Sequence, residues 1–86
     1  MSELEEKFTK AQEQVKTLKK RPDNDTLLKL YALYKQATEG DVSGKRPGLT
    51  DLKGKAKYDS WTKIKGTGKE KAMQDYVQLV TSLLNA

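Results

Sequence analysis

Four stretches of this chain repeat their apolar residues every three to four positions, and nowhere do apolar and polar residues alternate as they would along a half-buried strand. Leu4, Phe8, Ala11, Val15 and Leu18 form the first stripe. In the second, Leu27, Leu30, Tyr31 and Tyr34 share one face, which Leu28, Leu33 and Ala37 broaden. The third runs through Leu52, Ala56 and Trp61 to Ile64. The fourth carries Ala72, Met73, Tyr76, Val77, Val80, Leu83 and Leu84. Helix punctuation separates the stripes. Ser2 with Glu5 has capping-box spacing, and Lys19, Lys20 and Arg21 before Pro22 suit a helix C-terminus. Asp23 or Asn24 can cap the second helix, which ends before Gly40. Asp51 can cap the third and Gly66 ends it, while Thr67 with Glu70 forms a second capping box. The predicted fold class is all-α, a four-helix bundle.

One connection stands out. Glu39 to Thr50 holds Gly40, Gly44, Pro47 and Gly48 with no sustained period, and is predicted to be a long ordered loop. Its length lets the second and third helices run parallel, whereas the short connections favour antiparallel neighbours. Periodicity alone leaves several topologies open.

A chain of 86 residues has room for one core, so residues 1–86 are expected to form a single domain. Without cysteine it has no disulfide framework and no thiolate chemistry. Without histidine it lacks the commonest general base and the commonest metal ligand, and with them any Ser-His or Cys-His pair. Its acidic residues have no calcium or zinc spacing. No apolar run approaches the roughly 20 residues that cross a bilayer. The polar, acidic start MSELEEKFTK is unlike a signal peptide, and a cytoplasmic protein is expected. Seventeen Lys and Arg against twelve Asp and Glu leave a net charge of +5, which favours anionic partners.

Tyr31, Tyr34 and Lys35 lie within one turn of the second helix, and Lys53, Lys57 and Tyr58 within five residues of the third. Aromatic faces beside cations suit a ligand with both a planar base and phosphates. Lys53 and Lys57, at i and i+4, project together either as a phosphate clamp or as a solvated basic face. Tyrosines at this spacing also serve as core residues with a wet rim. Gly54 costs about 1 kcal/mol relative to alanine in a helix, which a close approach or a frayed first turn would explain. The GTGKE at Gly66 to Glu70 is not a Walker loop, since Glu70 follows the lysine and no strand precedes it.

The segments YKQAT-x-GD at Tyr34 to Asp41, RPG-x-x-D-x-KGKAK at Arg46 to Lys57, and the following Tyr58-Asp59-x-Trp61 closely resemble the signature of the acyl-CoA-binding protein family. The likeness extends from Phe8 and the A-x-x-x-V-K of Ala11 to Lys16, to GT-x-KE-x-AM-x-x-Y ending at Tyr76. It implies a four-helix bundle of up-down-down-up topology that binds long-chain acyl-CoA in a bowl. It also implies that Lys16, Tyr31, Tyr34, Lys35, Lys57 and Tyr76 hold the ligand, with Lys53 and Tyr58 nearby. Tyr58 stands where the family often has tryptophan, and the chain ends at Ala86 without a charged extension common there. The expected protein is a monomeric acyl-CoA carrier and not an enzyme. It has no cofactor beyond acyl-CoA as bound ligand, no metal, no nucleic-acid partner and no stable membrane insertion. Two other readings compete. A small basic nucleic-acid-binding protein fits the charge, but its cations are interleaved with acids. A helical interaction module would display an apolar groove, but would not require lysines converging with tyrosines.

Overall fold

The computed structural model describes residues 2–85. They form four α-helices: α1 (Glu3–Gln14), α2 (Asn24–Glu39), α3 (Leu52–Lys63) and α4 (Lys69–Leu84). Side-chain caps open three of them. The Ser2 hydroxyl accepts the Glu5 amide, an Asp23 carboxylate oxygen accepts that of Thr26, and an Asp51 carboxylate oxygen accepts that of Gly54. Gly40, at φ +85°, closes α2 in a backbone region that side chains disfavour.

Three expectations are corrected. The first helix does not reach Lys19–Arg21. It tightens into a 3-10 turn at Val15–Thr17, where the Thr17 hydroxyl takes the Gln14 carbonyl at 2.7 Å, and Leu18 is extended. Arg21 precedes a proline and is thereby pushed out of the helical region, so the basic triplet lies in the connection. The fourth helix has no capping box. Both backbone groups of Thr67 are committed, its N–H to the Ile64 carbonyl and its C=O to the Gln36 amide, which leaves Gly68 as the cap. Leu84, at the end of the fourth stripe, is exposed, and the buried face stops at Leu83.

The order of contacts gives the topology. Asn24 and Leu52 line one hollow, Lys57 lies over Tyr31, and Trp61 bonds Gln36, so α2 and α3 run parallel. Gln36, late in α2, reaches Thr67 just ahead of α4, so α2 and α4 are antiparallel. The stretch from Thr17 to Asn24 would have to be fully extended to recross the roughly 24 Å length of α2, but it bends at Lys19 and Lys20, and Phe8 of α1 stacks on Tyr34 late in α2. Hence α1 also opposes α2, and the bundle is up-down-down-up. The main core joins α1, α2 and α4: Phe8, Ala11, Leu30, Ala37, Ala72, Tyr76 and Val80 are buried together. Among the described helices, α3 packs only on α2, with Ala32 and Trp61 buried on that side.

Gln36, the one buried polar side chain among the described residues, is 1% exposed and has every bonding group engaged. Its amide nitrogen donates to an Asp41 carboxylate oxygen at 2.8 Å and to the Thr67 carbonyl at 2.7 Å. Its oxygen accepts the Trp61 indole N–H at 3.1 Å, which is shared with the Gly40 carbonyl at 2.9 Å. The same Asp41 oxygen accepts the Gly66 N–H at 2.8 Å. The long loop is fixed further along as well. Arg46 makes a two-pronged ion pair with Asp59, both bonds at 2.8 Å, and the Tyr58 hydroxyl donates to the Gly44 carbonyl at 3.0 Å. Gly54 is explained locally: a Cβ there would overlap the Asp51 carboxylate that caps the helix.

Gln36→Ala strands the Thr67 carbonyl and empties a packed site, so it should destabilise by about 2–3 kcal/mol. The urea midpoint should fall with an unchanged m-value. A second outcome concerns acid. The Gly66 N–H and then the Gln36 amide hold the Asp41 carboxyl below its ordinary 3.8. A depressed folded-state value contributes stability that is complete above the unfolded value and lost as pH falls through the folded one. Asp41→Asn should therefore flatten the decline of the urea midpoint with acidity, between about pH 5 and pH 3.

Candidate functional site

Parallel packing of α2 and α3 brings their first halves side by side and leaves a hollow of about 620 Å³ between them. Leu27, Leu28, Leu52 and Ala56 give it an apolar wall, while Arg21, Lys53 and Lys57 bring cations to it. Helical spacing produces this arrangement. Lys53, Ala56 and Lys57 share the face of α3 that looks toward α2, and Leu27, Leu28 and Tyr31 share the corresponding face of α2.

The predicted site residues fall into groups. Lys57 Nζ lies 5.3 Å from the centre of the half-buried Tyr31 ring, so the cation rests on an aromatic face instead of a carboxylate. Lys53 lines the same hollow one turn earlier. One turn beyond Tyr31, Lys35 Nζ sits 5.1 Å from the Trp61 ring centre and pairs with Glu39. The Glu39 carboxylate raises the Lys35 ammonium above its ordinary value, against a smaller opposing effect of burial.

A second group is aromatic. The Phe8 ring stacks on Tyr34 at 6.1 Å and meets Tyr76 edge-on at 5.1 Å, bringing α1, α2 and α4 together. Tyr34 is 40% exposed, whereas Tyr76 is buried. Burial raises the Tyr76 hydroxyl pKa, so the group stays a neutral donor at physiological pH. The core reading thus holds for Tyr76, and Tyr34 keeps a free face.

Two residues stand apart. Lys16 is exposed on the 3-10 turn and makes no ion pair among the described residues. Tyr58 lies on the loop side of α3, where its hydroxyl holds Gly44. Among the described residues, no cluster of His, Cys, Asp or Glu could hold a metal ion, and no helix is long and apolar enough to cross a membrane.

Sequence reasoning missed Gln36 and Arg21. A lone glutamine between Lys35 and Ala37 carries no periodic signal, and only its neighbours Gly40, Asp41 and Trp61 mark it as part of a junction. Arg21 was assigned to a helix end, yet it lines the hollow from an extended connection.

These lysines are held by ring faces and one half-exposed ion pair, which contribute little to folding. Lys57→Ala and Lys35→Ala should each change stability by at most about 1 kcal/mol in thermal melts. A loss several times larger would make them parts of the scaffold.

Comparison with known proteins gives a consistent result. The family model described as acyl-CoA-binding protein matches residues 5–80. The acyl-CoA-binding protein homolog of Drosophila melanogaster is 51% identical over 81 residues, spanning 94% of each chain. The acyl-CoA-binding protein homolog 1 of Caenorhabditis elegans is 53% identical over 77 residues, 90% of each. The crystal structure of Oryza sativa acyl-CoA-binding protein 2 superposes with a TM-score of 0.91 at 45% identity, covering 95% of this chain and 91% of that one.

Proposed function

Because the chain belongs to the acyl-CoA-binding protein family, we propose that it binds medium- to long-chain acyl-CoA thioesters between α2 and α3 and serves as an intracellular carrier and pool former. The observation that carries this reading is the pairing of an apolar hollow with cations that have no carboxylate partner among the described residues. Leu27, Leu28, Leu52 and Ala56 offer an alkyl chain a dry wall, beside Arg21, Lys53 and Lys57. Each methylene buried there contributes about 0.8 kcal/mol.

The head group carries an adenine, a pyrophosphate and a ribose 3′-phosphate, and so needs a stacking face and several cations. Tyr31 and the exposed face of Tyr34 supply rings. Lys57 and Lys35 approach from separate helices to meet phosphate oxygens, and Lys16 and Tyr76 complete the set. Lys53 lies along the acyl wall. The role of Tyr58 is to hold the loop through Gly44. The carrier acts as a cytoplasmic monomer of one domain. It performs no chemistry on the thioester, and the binding fold needs no cofactor. Nucleic acid is not a partner in this reading.

Titration calorimetry tests it with three ligands: a C16 acyl-CoA, the free C16 acid and the acyl-dephospho-CoA. One-to-one binding of the first and far weaker binding of the free acid are expected, since the acid offers the cations a single carboxylate in place of the phosphates and offers the rings no base. Loss of the 3′-phosphate should cost about 2–4 kcal/mol at low salt, and less at high salt where exposed charges are screened. Lys57→Ala and Tyr31→Ala should each weaken the acyl-CoA complex, by about 1.5–3 kcal/mol for the lysine, with the fold retained. Equal affinity for the acid and its CoA ester would overturn the reading.

A further inference from the structure

Among the described residues the two most exposed large apolar side chains lie three positions apart in the chain, and one of them, Leu52, lines the hollow. Leu49 is 81% exposed and Leu52 73%. The exposure is built in. The Asp51 N–H donates to the Gly48 carbonyl at 3.1 Å, closing a tight turn with Leu49 and Thr50 at its corners. Asp51 then caps α3, with Leu52 as its first residue, and the turn is anchored behind by the Arg46–Asp59 pair. Leu49 is therefore held out in solvent by a fixed backbone, while Leu52 lines the hollow together with Arg21, Lys53 and Lys57.

The charge at this end of the molecule is mostly positive, with Lys19, Lys20, Arg21, Lys53 and Lys57 against Asp23, Asp25 and Asp51. Arg21 closes the run Lys19-Lys20-Arg21, which lies exposed in the connection before α2. None of Lys19, Lys20, Arg21, Lys53 or Lys57 has a carboxylate within salt-bridge distance among the described residues. Of the three carboxylates nearby in sequence, Asp23 and Asp51 are engaged in capping α2 and α3, and Asp25 lies exposed in the first turn of α2. Two bare leucines set among uncompensated cations complement one kind of surface, an acyl interior beneath anionic headgroups.

We propose that the end of the bundle where α2 and α3 begin is a docking face for an anionic lipid bilayer. Leu49 and Leu52 enter the headgroup boundary, and Lys19, Lys20, Arg21 and Lys53 meet lipid phosphates and carboxylates. No helix inserts, so attachment is peripheral and reversible. The inference rests on the proposed ligand only for its consequence: a hollow that opens against the bilayer lets an alkyl chain pass from lipid to protein without crossing water.

The test is partitioning of the ligand-free protein onto sedimented vesicles, with about 30 mol% phosphatidylserine in phosphatidylcholine or with phosphatidylcholine alone. Binding to the anionic vesicles only is expected, with loss near 0.5 M salt, where screening acts over a few ångströms. Leu49→Ser, at a position already in solvent, should keep the melting temperature and the acyl-CoA affinity in solution. It should reduce partitioning by about tenfold, while Leu49→Phe retains it. Lys19→Gln with Lys20→Gln should reduce it by about fivefold per charge. Failure to bind anionic vesicles, equal binding to neutral ones, or an unaltered Leu49→Ser variant would overturn the proposal. So would a dimer in sedimentation that Leu49→Ser abolishes, since a second copy would then cover the leucines. Acyl-CoA affinity is measured separately without lipid, so a failure of docking is distinct from a failure of the proposed ligand.

Discussion

The arrangement of this bundle depends on the amide of Gln36. Parallel neighbours cannot be joined by a tight turn, so the chain needs a long crossover, and a crossover leaves backbone groups to be satisfied. Gln36 meets that need from inside. It holds the loop's first residues through Asp41, the end of α3 through Trp61 and the approach to α4 through Thr67. A buried amide with every partner in place contributes modest net stability, but it penalises each alternative in which a partner is missing. The register of α3 against α2 follows from that selection. With Trp61 fixed against Gln36, one further turn back places Lys57 over Tyr31.

The junction also explains why a thin part of the molecule can carry a defined site. The described Cα positions span 37 × 29 × 16 Å, so the bundle is flattened. α1, α2 and α4 share the main core, whereas α3 rests on α2 alone. A helix with one packing partner gains little from burial and opens locally at lower cost than the core helices. Its position is fixed at the C-terminal end by Trp61, and along the side by Arg46–Asp59 and Tyr58–Gly44. The N-terminal half is left apart from α2, and the hollow lies there. The space is thus a consequence of where the polar anchors were placed.

Much of this was legible in the sequence because helices declare themselves locally. The stripe from Leu4 to Val15, the capping aspartates at Asp23 and Asp51 and the closing Gly40 each depend on residues within one turn. The cations and rings of the candidate site were legible for the same reason, as Tyr31, Tyr34 and Lys35 share one turn. What stayed hidden depends on contacts distant in sequence. Thr67 has the form of a cap, yet its carbonyl is taken by a glutamine 31 positions away. Gly54 has the form of a helix defect or a close approach, yet its place is kept free for the cap's own carboxylate. The family resemblance supplied the topology that periodicity left open, because a recurrent motif records such distant contacts and a periodicity does not.

The partners chosen for the cations divide the molecule into two kinds of basic residue. Arg46 is held by Asp59 in a two-pronged pair, which neutralises it and makes it a fastener for the loop. Lys57 is held by the Tyr31 ring, which orients an ammonium without cancelling its charge. A ring face is the weaker partner, and that weakness leaves the cation free to pair with an anion. A carboxylate in the same place would have to be displaced first. Lys35 lies between these cases, with the Trp61 ring beneath it and Glu39 beside it. An anion that reaches Lys35 competes with a half-exposed pair one turn apart, whose loss costs up to about 1 kcal/mol. Lys57 therefore combines a fixed position with an uncancelled charge, whereas Lys35 has to exchange Glu39 for any incoming anion.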